Sequence, residues 1–264
     1  MRRLIAFFQP LWLAFGLLTT LPMARLIRSP VSAADSGRSV LCYPLVGLAI
    51  GALLAGLASA LHGIDAMLGA ALVVVLWVVI TGALHLDGLA DCVDALFAGH
   101  GQADAERTLA VMKDPAAGPM AVVALVLVLA LKSAALIALW PQAGVVVLVV
   151  PMLARTAAGV LMATTRYRRR QGLASAMALN LSRRDMAVVA AIVMGLTLAF
   201  AGIALGLATI LAAFVVGLTW RALWQRRIGG YTGDVIGALI ELVEAAALVI
   251  AALVAAVLGG GLWA

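Results

Sequence analysis

Long apolar runs alternate with short polar connections along this chain. The runs fall at about 41–61, 66–84, 120–139, 144–163, 186–204, 206–222 and 236–258. Most hold roughly 20 residues, enough for a helix to cross a hydrocarbon core of about 30 Å. Inside lipid every backbone N–H and C=O needs an internal partner, so the runs are expected to be α-helices. The pair 186–204 and 206–222 is together too long for one crossing, and Gly202 and Gly206 mark the expected turn. No repeat, low-complexity tract or long linker interrupts the pattern. It predicts an all-α fold: a polytopic integral membrane helical bundle of about seven transmembrane helices, built as a single membrane-embedded domain over residues 1–264.

The N-terminal stretch Leu4–Leu21 departs from this pattern. Pro10 and Pro22 interrupt it, and Arg2, Arg3 and Arg25 flank it on both sides. Basic flanks at both ends favour the same side of a membrane. An interfacial or re-entrant helix is therefore expected here rather than an eighth crossing.

Composition agrees with a membrane protein and excludes a soluble one. The chain is 65% hydrophobic and 11% charged, with a mean hydropathy of +1.15, whereas soluble domains carry about 25% charged residues. The net charge of +6 does not indicate nucleic acid, because Lys and Arg are concentrated in a few connections. Arg25, Arg28 and Arg38 precede the first run. Arg107 and Lys113 lie in the connection 85–119, Arg166 to Arg170 with Arg183 and Arg184 in 164–185, and Arg221, Arg226 and Arg227 in 223–235. The alternate connections, near His62–Asp65, Trp140–Gly144 and Leu205, hold neither Lys nor Arg. Seven crossings put every basic connection on one side, expected to be the cytoplasm, and leave Gly259–Ala264 on the other. Cys42 and Cys92 show no metal or redox spacing and read as small apolar fillers.

The acids fall on that same basic side. His85-Leu-Asp-Gly-Leu-Ala-Asp-Cys-Val-Asp94 holds Asp87, Asp91 and Asp94 at i, i+4 and i+7, among twelve acids in the whole chain. On a helix they share one stripe, where like charges repel unless something positive binds them. All-oxygen ligands suit a hard divalent cation, Mg²⁺ before others. A second stripe runs through Asp234, Gly237, Ala238 and Glu241, with Glu244 one turn on. Small residues between the acids allow a ligand or another helix to come close.

Lys132, Arg155, Glu241 and Glu244 fall inside runs, where ionisable groups are costly and usually face an interior or a wet cavity. They either neutralise one another or serve a site, and Glu241, continuing the Asp234 stripe, leans to the site. His85 is open to three readings: metal ligand, phosphate donor or hydrogen-bonded helix end. Lys113, beside Asp114, and Arg107 are candidates for holding phosphate. Arg166 to Arg170 read first as topological charge. Acids and bases gathered at a membrane face suit phosphoryl-group chemistry. A divalent-cation transporter would use similar residues, but with its acids near the bilayer midplane.

The segment His85–Asp94, followed by Glu106-Arg107 and by Met112-Lys113-Asp114 with Gly118, resembles the signature region of the adenosylcobinamide-GDP ribazoletransferase, or cobalamin synthase, family. Arg38-Ser39 with Tyr43-Pro44-Leu-Val-Gly47, the position of Lys132, and Gly230-Tyr-Thr-Gly-Asp234-Val-Ile-Gly237-Ala238 with Glu241 are similar to the family's other motifs, in order along nearly the whole chain. Ala95 stands where the family usually has Gly, and Pro115 where it commonly has Ser. Neither change removes a charge. The Asp-Gly-x-x-Ala-Arg signature of the CDP-alcohol phosphotransferases is absent, since Asp87-Gly-Leu-Ala-Asp91 has the wrong spacing and no Arg.

The resemblance implies an enzyme of the bacterial inner membrane whose site faces the cytoplasm. It would transfer the adenosylcobinamide-phosphate group of adenosylcobinamide-GDP to α-ribazole or its 5′-phosphate, releasing GMP, with Mg²⁺ as cofactor. The residues then map as expectations. Asp87, Asp91, Asp94, Asp234 and Glu241 would hold metal on the diphosphate. Asp91 or Asp94 would instead be the catalytic general base, and His85 would help at the phosphate. Arg107, Lys113, Asp114 and Lys132 would bind phosphate or substrate.

Overall fold

The computed structural model describes residues 8–27, 29–98, 104–114, 116–140, 143–169 and 173–259. Leu4 to Phe7, Arg28, His100, Pro115, Arg170 and the end beyond Gly259 lie outside them. Among the described residues every regular element is helical. In chain order these are α1 (Gln9–Leu18), a 3-10 turn (Met23–Arg25), α2 (Ala33–Leu41), α3 (Tyr43–Ala60), α4 (Ala66–Thr81), α5 (Leu84–Phe97), α6 (Ala105–Val111), α7 (Pro119–Leu139), α8 (Ala143–Thr164), α9 (Leu173–Asn180), α10 (Arg183–Ile228) and α11 (Gly233–Gly259). Five of them, α3, α7, α8, α10 and α11, are long and apolar enough to cross a membrane, and α4 with α5 makes a sixth when taken as one broken span.

At 46 residues α10 would extend about 69 Å if straight, twice what a bilayer core needs. It is instead two arms. Gly202 leaves helical geometry with φ 76° and ψ 172°, a conformation open mainly to glycine. A Cβ on Gly206 would lie 3.1 Å from the Cα of Leu198, so the chain doubles back there, at the turn read from the sequence. The apolar runs thus coincide with α3, α4, α7, α8, the two arms of α10, and α11.

Two sequence expectations need correction. The second run does not end cleanly near residue 84. It breaks at Gly82 and Ala83, both left-handed (φ 61° and 57°), and resumes as α5 at 86° to α4. The break frees carbonyls at the end of α4, and Thr20 meets them: its N–H donates to Ile80 O at 2.8 Å, and its hydroxyl lies 3.2 Å from the oxygens of Val79 and Ile80. Within the described part of Leu4–Leu21, Pro10 does not break the helix that follows it. It sits in the first turn of α1, where its missing N–H has no partner to lose. The ten residues of α1 span about 15 Å, too short to cross.

The bundle is apolar outside and charged within. Leu53, Val126, Leu211, Phe214 and Leu253 are exposed, while Lys132, Arg155, Glu241 and Glu244 are buried. The core centres on α8, the most enclosed long helix, which packs against α3, α10 and α11. Gly47 and Gly51, one turn apart on α3, lie directly on the carbonyls of Pro151 and Leu148 of α8, with no room for a Cβ at either position. Small residues in this spacing let two helix backbones meet where no hydrophobic effect drives them together.

Four charges tie three helices together in this interior. Lys132 Nζ of α7 lies 2.6 Å from a carboxylate oxygen of Glu241 and 2.6 Å from one of Glu244, both on α11. The other oxygen of Glu244 accepts from Arg155 Nη1 of α8. The Lys132 ammonium also sits 4.8 Å from the centre of the Trp77 ring on α4, within cation–π range. Two acids and two bases cancel.

Removing Glu244 leaves two buried cations with one acid between them. Glu244→Ala is expected to cost about 3–5 kcal/mol, seen as a lower thermal midpoint and yield in detergent. Gly51→Leu should also lower the midpoint, whereas Gly56→Leu, where a Cβ meets nothing within 4 Å, should leave it unchanged.

Candidate active site

The acids of α5 meet α11 because two glycines let the helices touch. A Cβ on Gly88 would sit 2.8 Å from Asp234 O, and one on Gly237 would sit 3.3 Å from the Cα of His85. Rising numbers on α5 meet falling numbers on α11, so the helices run antiparallel. Asp87 and Asp91 are thereby brought beside Asp234, about 145 residues away in sequence. Asp91 is within electrostatic reach of Asp234, Asp87, Arg169 and Asp94, and Asp234 of Arg169 and Asp87. Asp87 is exposed and Asp91 partly buried.

Asp94 belongs to the same stripe but is engaged differently. One of its oxygens accepts the N–H of Gly118 at 2.6 Å and the other that of Ala121 at 3.3 Å. Pro119 opens α7, so Asp94 caps that helix from a distant segment. A carboxylate there satisfies orphan N–H groups and complements the helix dipole.

Asp234 opens α11 behind Thr232. The Thr232 hydroxyl accepts the N–H of Val235 at 3.3 Å and lies 3.2 Å from Asp234 Oδ2. Arg169 Nη2 donates to that same oxygen at 2.7 Å. Tyr167 and Tyr231 form a short parallel bridge that lays the arginine-bearing connection alongside this turn.

The remaining predicted residues are placed as follows. Met112 is buried and receives the Thr232 hydroxyl at 3.9 Å, which anchors the next two residues near the Asp234 turn. Lys113 and Asp114 are exposed there, and Asp114 Oδ1 accepts the N–H of Ala116 at 3.0 Å. Arg107 lies at the other end of α5, in a notch lined by Ala95, Ala98, Asp104 and Arg227. Arg227 fastens that end, with Nη2 on Ala95 O at 3.2 Å and Nε on the Thr108 hydroxyl at 3.3 Å. Lys132 and Glu241 are paired with each other in the interior rather than gathered with the aspartates. His85 is buried with Nε2 unpartnered among the described residues, and it faces the interior charges Arg155, Glu244 and Lys132.

Two layers result: an outer one of Asp87, Asp91, Asp94 and Asp234 with Arg169, and an inner one of Lys132, Glu241, Glu244 and Arg155 with His85 beside it. Among the described residues no three His, Cys, Asp or Glu side chains close into a metal cage. The outer acids form an open set of hard oxygens, suited to a cation that draws its other ligands from water and substrate. From the sequence alone Arg169 reads first as topological charge. Its partner is 65 residues away, and no local spacing signals such a pair.

Residues 10–252 match the model of a family described as cobalamin-5-phosphate synthase. An adenosylcobinamide-GDP ribazoletransferase of Pseudomonas paraeruginosa is 48% identical over 246 residues, covering 93% of this chain and 98% of that protein. One from Pseudomonas aeruginosa is 49% identical over 247 residues, with 93% and 98% covered. One from Stutzerimonas stutzeri is 47% identical over 245 residues, with 91% and 96% covered. No solved structure matches the chain. A family model spanning both carboxylate-bearing helices, with relatives similar over nearly their full length, leads to one assignment: this chain belongs to the cobalamin-5-phosphate synthase family.

Proposed function

We propose that this chain is an adenosylcobinamide-GDP ribazoletransferase of the bacterial inner membrane, with its site open to the cytoplasm. It passes the adenosylcobinamide-phosphate group to α-ribazole, or to α-ribazole 5′-phosphate, and releases GMP. The observation that carries this reading is the close packing of α5, which bears Asp87 and Asp91, on Asp234 of α11 through Gly88, in a chain whose close relatives bear that name. The basic connections support the sidedness, because Lys and Arg are retained on the cytoplasmic side.

The ribazole hydroxyl oxygen attacks the phosphorus that stays with the corrinoid. A new P–O bond forms there, the P–O bond to the GMP phosphate breaks, and the hydroxyl proton passes to a carboxylate. Asp91 is the better-placed base, because both oxygens of Asp94 already accept backbone N–H groups. Asp87 and Asp234 would hold Mg²⁺ beside Asp91, as an open set of hard oxygens suited to such an ion. A metal held there would supply positive charge to the diphosphate and to the departing phosphate. Asp94 keeps α5 in register with α7, and Thr232 with Arg169 orients the Asp234 carboxylate.

Purified protein should release GMP from adenosylcobinamide-GDP only when α-ribazole or its phosphate and a divalent cation are present. Metal flux in proteoliposomes without GMP release would overturn the reading. Asp91→Asn should lower turnover more than about 100-fold with yield and thermal midpoint unchanged. Asp94→Ala should also lower the midpoint, since losing a cap costs about 1–2 kcal/mol. Equal midpoints for the two variants would remove the distinction between base and cap.

A further inference from the structure

Positive-inside topology asks only that arginines be present in the connection between α8 and α9, not that they be arranged. They are arranged. A cavity of about 480 Å³ opens beside this connection, lined by Arg166, Tyr167, Arg168, Arg169 and, from α9, Ser175. That volume lies within the usual range for small-molecule sites, about 300–1,000 Å³.

The loop is clamped at the backbone. Arg168 N–H donates to Tyr231 O at 3.0 Å, and Tyr231 N–H donates to Arg166 O at 3.0 Å. The Tyr167 and Tyr231 rings stack at a tilt with centroids 5.3 Å apart. Gly230 makes the approach possible, because a Cβ there would overlap the Arg166 carbonyl. Arg169 then reaches Asp234, which sets the cavity directly beside the outer carboxylates.

The guanidiniums are not saturated. The Nε atoms of Arg168 and Arg169 are buried and without a partner among the described residues. A buried donor left unpaired costs about 1–3 kcal/mol, and a cavity lined by three arginines, two of them with an unpaired Nε among the described residues, suits a ligand that brings oxygens. Planar guanidiniums match phosphate oxygens in pairs. Asp87, Asp91 and Asp234 would by themselves repel a diphosphate, and the arginine cavity supplies nearby charge of the opposite sign.

We infer that the cavity lined by Arg166, Arg168 and Arg169 is a binding site for a phosphate group of a substrate. This rests on the ribazoletransferase reading for the choice of substrates. Two sources share the chemistry: the 5′-phosphate of the ribazole acceptor, and the nucleotide end of the adenosylcobinamide-GDP diphosphate.

The test compares Arg168→Gln with Arg184→Gln, an exposed arginine at the start of α10 on the same basic side. KM is measured for adenosylcobinamide-GDP, for α-ribazole and for α-ribazole 5′-phosphate. A KM about tenfold higher or more for the ribazole phosphate alone assigns the cavity to the acceptor. The same rise for adenosylcobinamide-GDP, with either acceptor, assigns it to the donor. Arg184→Gln should change none of the three. Unchanged KM values in Arg168→Gln, or equal changes in both variants, overturn the site.

A second measurement uses the unaltered protein and does not need turnover. Inorganic pyrophosphate should protect Arg168, but not Arg184, from phenylglyoxal, read by mass spectrometry of the peptides. Absence of selective protection overturns the site even in protein that releases GMP. Selective protection in protein that releases no GMP would keep the anion site and reject the transferase.

Discussion

The structure turns on four charges enclosed in a bundle whose outer surface is hydrocarbon. Lys132, Arg155, Glu241 and Glu244 cannot be left unpaired there, and the arrangement found cancels two acids against two bases drawn from three helices. Such a network need not add stability relative to an apolar core. What it adds is a rotational setting. With Glu241 directed at Lys132, the residue seven positions earlier on the same helix, Asp234, lies on nearly the same stripe. The inner pairing therefore determines which way the outer carboxylate faces, and the Thr232 and Arg169 contacts refine its position.

Close approach is the second requirement. Burial of apolar surface does little to join helices inside lipid, so contact depends on fit. Gly47 and Gly51 seat α3 on α8, while Gly88 and Gly237 seat α5 on α11. The second pairing brings acids from two distant segments together. That gathering of like charge is uphill. Arg169 offsets part of it, and the neighbouring arginine cavity extends the compensation to an anionic substrate.

Much of this was legible in the sequence. The apolar runs marked the helices because lipid enforces length and hydropathy on each crossing, and Gly202 with Gly206 marked the hairpin. The spacing of Asp87, Asp91 and Asp94 placed them on one helix stripe, and the small residues near Asp234 signalled that something would pack closely there. What was not legible depends on partners outside any local window. Equal spacing could not reveal that Asp94 caps α7 while Asp91 does not, because the acceptor role is set by Gly118 and Ala121 across a 23-residue excursion. Lys132 could equally have met phosphate or Glu241. Arg169 looked like its neighbours until the Tyr167–Tyr231 bridge set it against Asp234. The break at Gly82 and Ala83 was hidden because an alanine with positive φ carries no compositional signal.

These contacts together explain why the middle of α5 is where chemistry is to be expected. At its inner end His85 packs on Gly237 beside the buried charges. At its outer end Asp94 holds the start of α7, and Arg227 holds the carbonyl of Ala95. A helix pinned at both ends keeps what lies between in fixed position. Of the residues between, Gly88, Leu89, Ala90 and Cys92 are buried in packing, whereas Asp87 is exposed and Asp91 partly so. Preorganised charge costs no reorganisation when a reaction develops charge of its own. The same pattern of three aspartates thus divides by physical circumstance: one completes the scaffold, and two stay at least partly accessible for the proposed phosphoryl transfer.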